Sequence, residues 1–147
     1  ATVETAGAAI AGYTILNDLS ARARQTKVMS INMGPSPGKD FASALGPYLV
    51  TKDDIPSLDD VGMRTFVNGE KWTDGKYGTV QHRLEAMIAF ASAARTMFPG
   101  DVLGSGTVGG GCGAELKKFL KPGDLVKMDF DHLGVLENRV EREEAFQ

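Results

Sequence analysis

The sequence predicts an α+β fold, a single unit in which β-sheet dominates and one main helix stands out. Three observations carry that expectation. Over residues 83–97 the apolar side chains Leu84, Met87, Ile88, Ala91 and Ala94 recur at helical spacing, and Pro99-Gly100 stops the pattern. Asn68-Gly69 lies between two strand-like runs, the strongest short-range signal for a β-hairpin. The other apolar runs are short, are bounded by glycine and proline, and show no internal repeat, linker or second domain.

Taken in order, residues 10–19 read as a buried strand through Ile10, Tyr13, Ile15, Leu16 and Leu19, and run into the polar segment 20–27. Asp18 therefore sits at a strand end. Residues 33–39 hold two prolines and two glycines, which forbid regular structure and present Lys39 from a defined loop. Tyr48, Leu49 and Val50 form a short strand candidate, followed by an acidic turn at Asp53-Asp54-Ile55-Pro56. The hairpin pairs residues 64–67 with 70–73. Beyond the helix, residues 104–113 are glycine-rich, Pro122-Gly123-Asp124 is a turn, and residues 125–130 and 134–140 are the last two strands.

A chain of 147 residues is about one domain, long enough to bury roughly 68–70% of the surface it exposes when unfolded. Sixteen Lys and Arg against 19 Asp and Glu give a net charge of −3 with no basic block, which argues against nucleic acid as a partner. No apolar run approaches the length of a membrane span, and the single cysteine, Cys112, forms no intrachain disulfide. A reducing cytoplasm is the simplest home. The 18 glycines cluster in particular loops, so they mark backbone geometry at those places rather than general flexibility.

Few residues carry chemistry by type and spacing. The segment 104–113 lacks the Lys-Ser/Thr ending of a phosphate-binding P-loop. Its glycines instead let backbone N–H groups and the Thr107 hydroxyl approach a small anion, or simply make a tight connection. Asp18 offers a hard oxygen ligand for a cation such as Mg2+, or is a turn former. Lys39 offers a point charge to a substrate carboxylate, or is a solvated lysine. His82, flanking the helix, and His132, in a turn, have no metal-ligand partners nearby in sequence. There is no G-x-S-x-G elbow and no base beside Cys112, so a serine or cysteine hydrolase is not supported. Met29, Met33, Met87, Met97 and Met128 read as core filler.

Several motifs in a fixed order bring the sequence together. Gly12-Tyr13-Thr14-Ile15-Leu16-Asn17-Asp18-Leu19-Ser20-Ala21-Arg22 is followed by Gln25, by Gly38-Lys39-Asp40-Phe41, and by Gly46-Pro47-Tyr48-Leu49-Val50-Thr51. Val67-Asn68-Gly69-Glu70, Pro99-Gly100-Asp101-Val102, Gly104-Ser105-Gly106-Thr107 and Lys121-Pro122-Gly123-Asp124 continue the series. In that order they resemble the carboxy-terminal catalytic region of the fumarylacetoacetate hydrolase family, over nearly the whole chain.

The resemblance implies a mixed β-sheet roll and a site that uses a divalent cation, Mg2+ or alternatively Mn2+ or Ca2+. By the same resemblance Asp18 is a metal ligand, with Ser43 where some members have a threonine near the metal. Lys39 is implied as a catalytic and substrate-binding lysine, and Gln25 and Thr107 as substrate-binding positions. The implied reaction is hydrolysis of a C–C bond in an acylpyruvate-like or diketo acid. Dehydration of a 2-keto-3-deoxy sugar acid, decarboxylation or a lyase step on a related 2-oxo acid are the alternatives, and a noncatalytic structural module is the reading from a different class. A homodimer is implied as well. Two departures stand out. Ala23 occupies a position where many members have aspartate beside the arginine, so the ion pairing around Arg22 must differ. The family's E-x-E metal ligands lie upstream of the aspartate, and no such pair precedes Asp18 within residues 1–147. The expectation is therefore a single catalytic domain segment completed by an upstream segment, truncated or cleaved, or by a separate polypeptide. Glu143-Glu144 are poor substitutes because adjacent residues in a tail do not converge on one ion.

Overall fold

A computed structural model describes residues 1–142; the Glu143-Glu144 pair lies outside the described residues. The α+β class is as the sequence predicts. Among the described residues, six strands form two antiparallel sheets and three α-helices flank them. Strand β1 (Gly12–Asn17) pairs with β2 (Ala44–Thr51), and a four-stranded sheet runs in the order β4-β3-β5-β6. Its members are β3 (Gly62–Val67), β4 (Glu70–Lys76), β5 (Leu125–Phe130) and β6 (Gly134–Arg139).

The hairpin forms where Asn68-Gly69 places it, with Asn68 at φ 51° and Gly69 at φ 84°, the left-handed pair that a tight two-residue turn requires. Asn68 does more than turn the chain. Its side-chain amide donates to Asp124 Oδ1 at 2.8 Å, and its side-chain carbonyl accepts from the Leu125 N–H at 2.9 Å. The β3–β4 turn is thereby fastened to the start of β5, which pairs with the other edge of β3. His132 lies in the turn joining β5 to β6, at φ 66°.

The two sheets meet where β2 lies against β6. Asn17 at the end of β1 donates to Asn138 Oδ1 on β6 at 3.0 Å, a side-chain bond across the sheets. Ile15, fully buried, packs with Ile55, Val61, Tyr77, Phe130 and Leu133 in the core between them.

Several boundaries differ from expectation for local reasons. β1 is shorter than residues 10–19: Ile10 closes a short 3-10 turn after α1 (Val3–Ala6), and the Leu19 N–H turns back to Asn17 O. β2 is longer than residues 48–50, and it tolerates Gly46-Pro47 because the ladder is irregular between Tyr13 and Ile15. The polar segment 20–27 contains α2 (Arg22–Met29), a helix with no buried residue, built from good helix formers without an apolar stripe. The main helix, α3 (Leu84–Ala94), stops short of Met97 because Asp101 captures the chain. The Asp101 carboxylate accepts from the Phe98 N–H at 3.0 Å and pairs with Arg95 at 3.3 Å.

The methionines need a correction. Met29 and Met33 are 51% and 66% exposed: Met29 ends α2, which buries no residue, and Met33 lies in the surface loop beyond it.

Candidate active site

β1 ends at Asn17, so Asp18 emerges at the sheet end where β1 and β2 finish their ladder with the pair Asn17–Ala44. Ser43 precedes Ala44 and is exposed at the same end. Lys39 arrives there from the proline-bounded loop. That loop is closed by the Gly38 N–H donating to Pro35 O at 3.0 Å and by the Ser36 hydroxyl on the Asp40 carboxylate. It is also docked on the start of α2: the Ala21 N–H donates to Gly38 O at 2.9 Å. A methyl group on Gly38 would lie 2.7 Å from the Gln25 backbone nitrogen, so only glycine lets the loop approach this closely.

The consequence is a cluster of charge. Lys39 Nζ donates to Asp18 Oδ2 and, at 2.7 Å, to Ser20 Oγ; the Ser20 hydroxyl in turn donates to the Asp18 carbonyl at 3.1 Å. Lys39 is 21% exposed and Asp18 53%, so the ammonium is sheltered while the carboxylate faces outward. Beside them Arg22 donates through Nη1 to Gln25 Oε1 at 2.7 Å and through Nη2 to Cys112 Sγ at 3.0 Å. With Ala23 offering no carboxylate, an amide and a thiol hold this guanidinium.

Asp18, Ser20, Arg22, Lys39, Thr107 and Cys112 all line one cleft bounded by both sheets. Its volume of about 2310 Å³ exceeds the roughly 300–1,000 Å³ of a ligand pocket, so it is an open trough with the charged cluster as one part of its wall. The structure thus brings Asp18 and Lys39 into direct contact, and Thr107 lines the same trough. Gln25 accepts from Arg22, which lines the cleft, but neither Gln25 nor Ser43 is itself part of the lining. The sequence singled out neither Ser20 nor the Arg22–Cys112 contact as part of a site. The first had a signal, its position two residues after Asp18 in a recognisable motif. The second spans 90 residues and leaves none.

Hard cations such as Mg2+ take oxygen ligands from carboxylates and hydroxyls. Asp18 fits as one such ligand, exposed on the cleft and already attracting a cationic group. No group of three or more His, Cys, Asp or Glu among the described residues could hold a metal ion, so further ligands would have to join Asp18 to complete the shell.

Comparison with known proteins places the chain in a family. The model of the fumarylacetoacetate (FAA) hydrolase C-terminal family matches residues 1–141. A protein of uncharacterised function from Staphylococcus epidermidis is 37% identical over 128 residues, which are 86% of this chain and 42% of its own length. The chain spans less than half the length of that relative. Among solved structures, a 5-carboxymethyl-2-hydroxymuconate delta-isomerase from Mycobacterium smegmatis superposes with a TM-score of 0.81 at 33% identity, over 98% of this chain and 53% of that one. A fumarylpyruvate hydrolase from Pseudomonas aeruginosa, solved with Mn2+ and pyruvate, gives 0.85 at 22% identity over 97% and 59%, a likeness of fold. The family match over almost the whole chain places it: the chain belongs to the fumarylacetoacetate hydrolase family.

Proposed function

We propose that this chain is the catalytic segment of a divalent-cation-dependent hydrolase that cleaves a C–C bond in an acylpyruvate-like or diketo acid. The observation that supports it is the Lys39 ammonium, held between Asp18 and Ser20 on a cleft that Arg22 and Thr107 also line. In the proposed reaction, water adds to the acyl carbonyl, the bond to the pyruvyl methylene breaks with its electron pair leaving as an enolate, and protonation yields pyruvate beside the carboxylic acid. Negative charge builds on the departing half. Lys39 supplies a fixed positive charge there, and the Thr107 hydroxyl a neutral donor. A cation held by Asp18 and by carboxylates from elsewhere in the complete protein would add Lewis acidity at the 2-oxo acid. The base that activates the water would come from elsewhere in the complete protein.

A second reading keeps the same residues and changes the outcome to isomerisation or a lyase step; the 33% identity to an isomerase favours keeping it. Product analysis separates them, because a hydrolase turns one acid into two with uptake of water, a lyase splits its substrate without water, and an isomerase leaves one product of unchanged mass.

The test uses the full-length protein. Mn2+ titration calorimetry is combined with pyruvate release from a panel of acylpyruvates. Asp18→Ala should lose both metal binding and turnover, and undiminished Mn2+ affinity in that variant would remove Asp18 from the metal site.

A further inference from the structure

The link between β1 and α2, residues 18–21, grips the Lys39 loop twice. One grip is backbone, from the Ala21 N–H to the Gly38 carbonyl at 2.9 Å. The other is a side chain, the half-buried Ser20 hydroxyl, which accepts from Lys39 Nζ at 2.7 Å. A hydroxyl has one proton and two lone pairs, and this proton is directed to the Asp18 carbonyl at 3.1 Å, leaving the lone pairs for the ammonium.

Direction is what a lysine lacks on its own. Its ammonium is a point charge at the end of a flexible four-carbon stem, so the way its three N–H bonds point is set by its partners. Asp18 and Ser20 occupy two, and among the described residues no hydrogen-bond partner takes the third. Asp18 is the more exposed of the two partners, and under the functional reading above its carboxylate is shared with a cation. Ser20 is neutral and has no second ligand to serve.

We propose that Ser20 is a positioning residue for Lys39, its hydroxyl aiming the ammonium into the cleft whatever Asp18 binds. The catalytic consequence rests on the proposed function; the placement of Lys39 rests on the hydrogen bonds alone. Ser20→Ala removes the side-chain grip and leaves the Ala21–Gly38 bond, so the variant keeps its fold.

The full-length protein, Ser20→Ala and Ser20→Thr are compared by two readouts. The first is residue-resolved acetylation of Lys39 by a water-soluble acylating reagent, followed by peptide mass spectrometry and referenced to surface lysines such as Lys76. The second is kcat and KM for pyruvate release from an acylpyruvate. In Ser20→Ala, Lys39 should acetylate several times faster and kcat should fall on the order of tenfold, the loss of one charge-assisted hydrogen bond, with a smaller change in KM. Ser20→Thr, which keeps the hydroxyl, should restore both. An unchanged Lys39 acetylation rate in Ser20→Ala overturns the positioning role. Absence of acylpyruvate turnover in the unmodified protein overturns the functional reading instead, and the acetylation rates then decide the Ser20 assignment by themselves.

Discussion

At the scale of single residues, the cluster at the end of β1 separates roles that stability alone would blur. Lys39 makes one partly exposed ion pair and one hydroxyl contact, and such a pair contributes at most about 1 kcal/mol to folding. Its expected effect on chemistry is far larger, because a preorganised donor facing developing negative charge is worth about 10²–10³ in kcat. Lys39→Met should therefore leave the thermal midpoint close to that of the unmodified protein while lowering kcat by that factor. A loss of a few-fold only, measured under saturating substrate, would take Lys39 out of the chemistry. The placement of Asp18 at a strand end and of Lys39 in a proline-bounded loop was legible from apolar runs and prolines, whereas their roles came only from the family resemblance. Arg22 and Cys112 meet across 90 residues, so no spacing rule could pair them.

At the scale of elements, two glycines show how differently the same residue type is used. Gly69 holds a left-handed turn at φ 84° with open space where a Cβ would go. Its replacement by alanine meets only the backbone penalty, about 1 kcal/mol. Gly38 has no such φ requirement, but a Cβ there would lie 2.7 Å from the backbone nitrogen and 2.8 Å from the Cα of Gln25, atoms of α2 that cannot step aside. Gly38→Ala should lift the Lys39 loop from the helix. Urea unfolding of Gly69→Ala should show the drop of about 1 kcal/mol with turnover retained, whereas Gly38→Ala should lose turnover out of proportion to its stability. Equal activity in the two variants would show that the loop need not dock. The hairpin was readable from two letters, since its turn geometry is local. Helix α2 was not: an eight-residue helix with no buried side chain carries no periodic stripe, and tertiary contacts with the Lys39 loop help define it.

At the scale of the whole molecule, the ionisable groups predict a stability plateau with two different edges. On the acid side, the hydrogen bond from Arg64, joined by the Gly62 N–H, lowers the Asp131 pKa from its ordinary 3.8. Lys71 lowers Asp74, Lys118 lowers Glu70, and the Lys121 N–H with the Asn68 amide lowers Asp124. All four carboxylates belong to the four-stranded sheet or its turns. A depressed folded-state pKa contributes stability that is present above the unfolded value and lost as pH falls through the folded one, so this sheet should loosen below about pH 4. Because the groups are exposed, the effect is small for each and weaker in high salt. On the alkaline side the cause is burial. Tyr77 sits in the core with its hydroxyl lacking a protein partner among the described residues, and desolvation raises its pKa above 10.0. Its contribution is complete below pH 10 and disappears as pH climbs toward the folded value, where the unfolded chain ionises first. Thermal midpoints recorded from pH 3 to 11 should therefore fall at both ends. Asp131→Asn should reduce only the acid slope, and 0.5 M salt should reduce it further. Tyr77→Phe should reduce only the alkaline slope; it removes a buried hydroxyl without a partner, so its midpoint at pH 7 should equal or exceed that of the unmodified protein. A Tyr77→Phe variant markedly less stable at pH 7 would mean that the hydroxyl is satisfied in solution, and the alkaline edge would then need another cause.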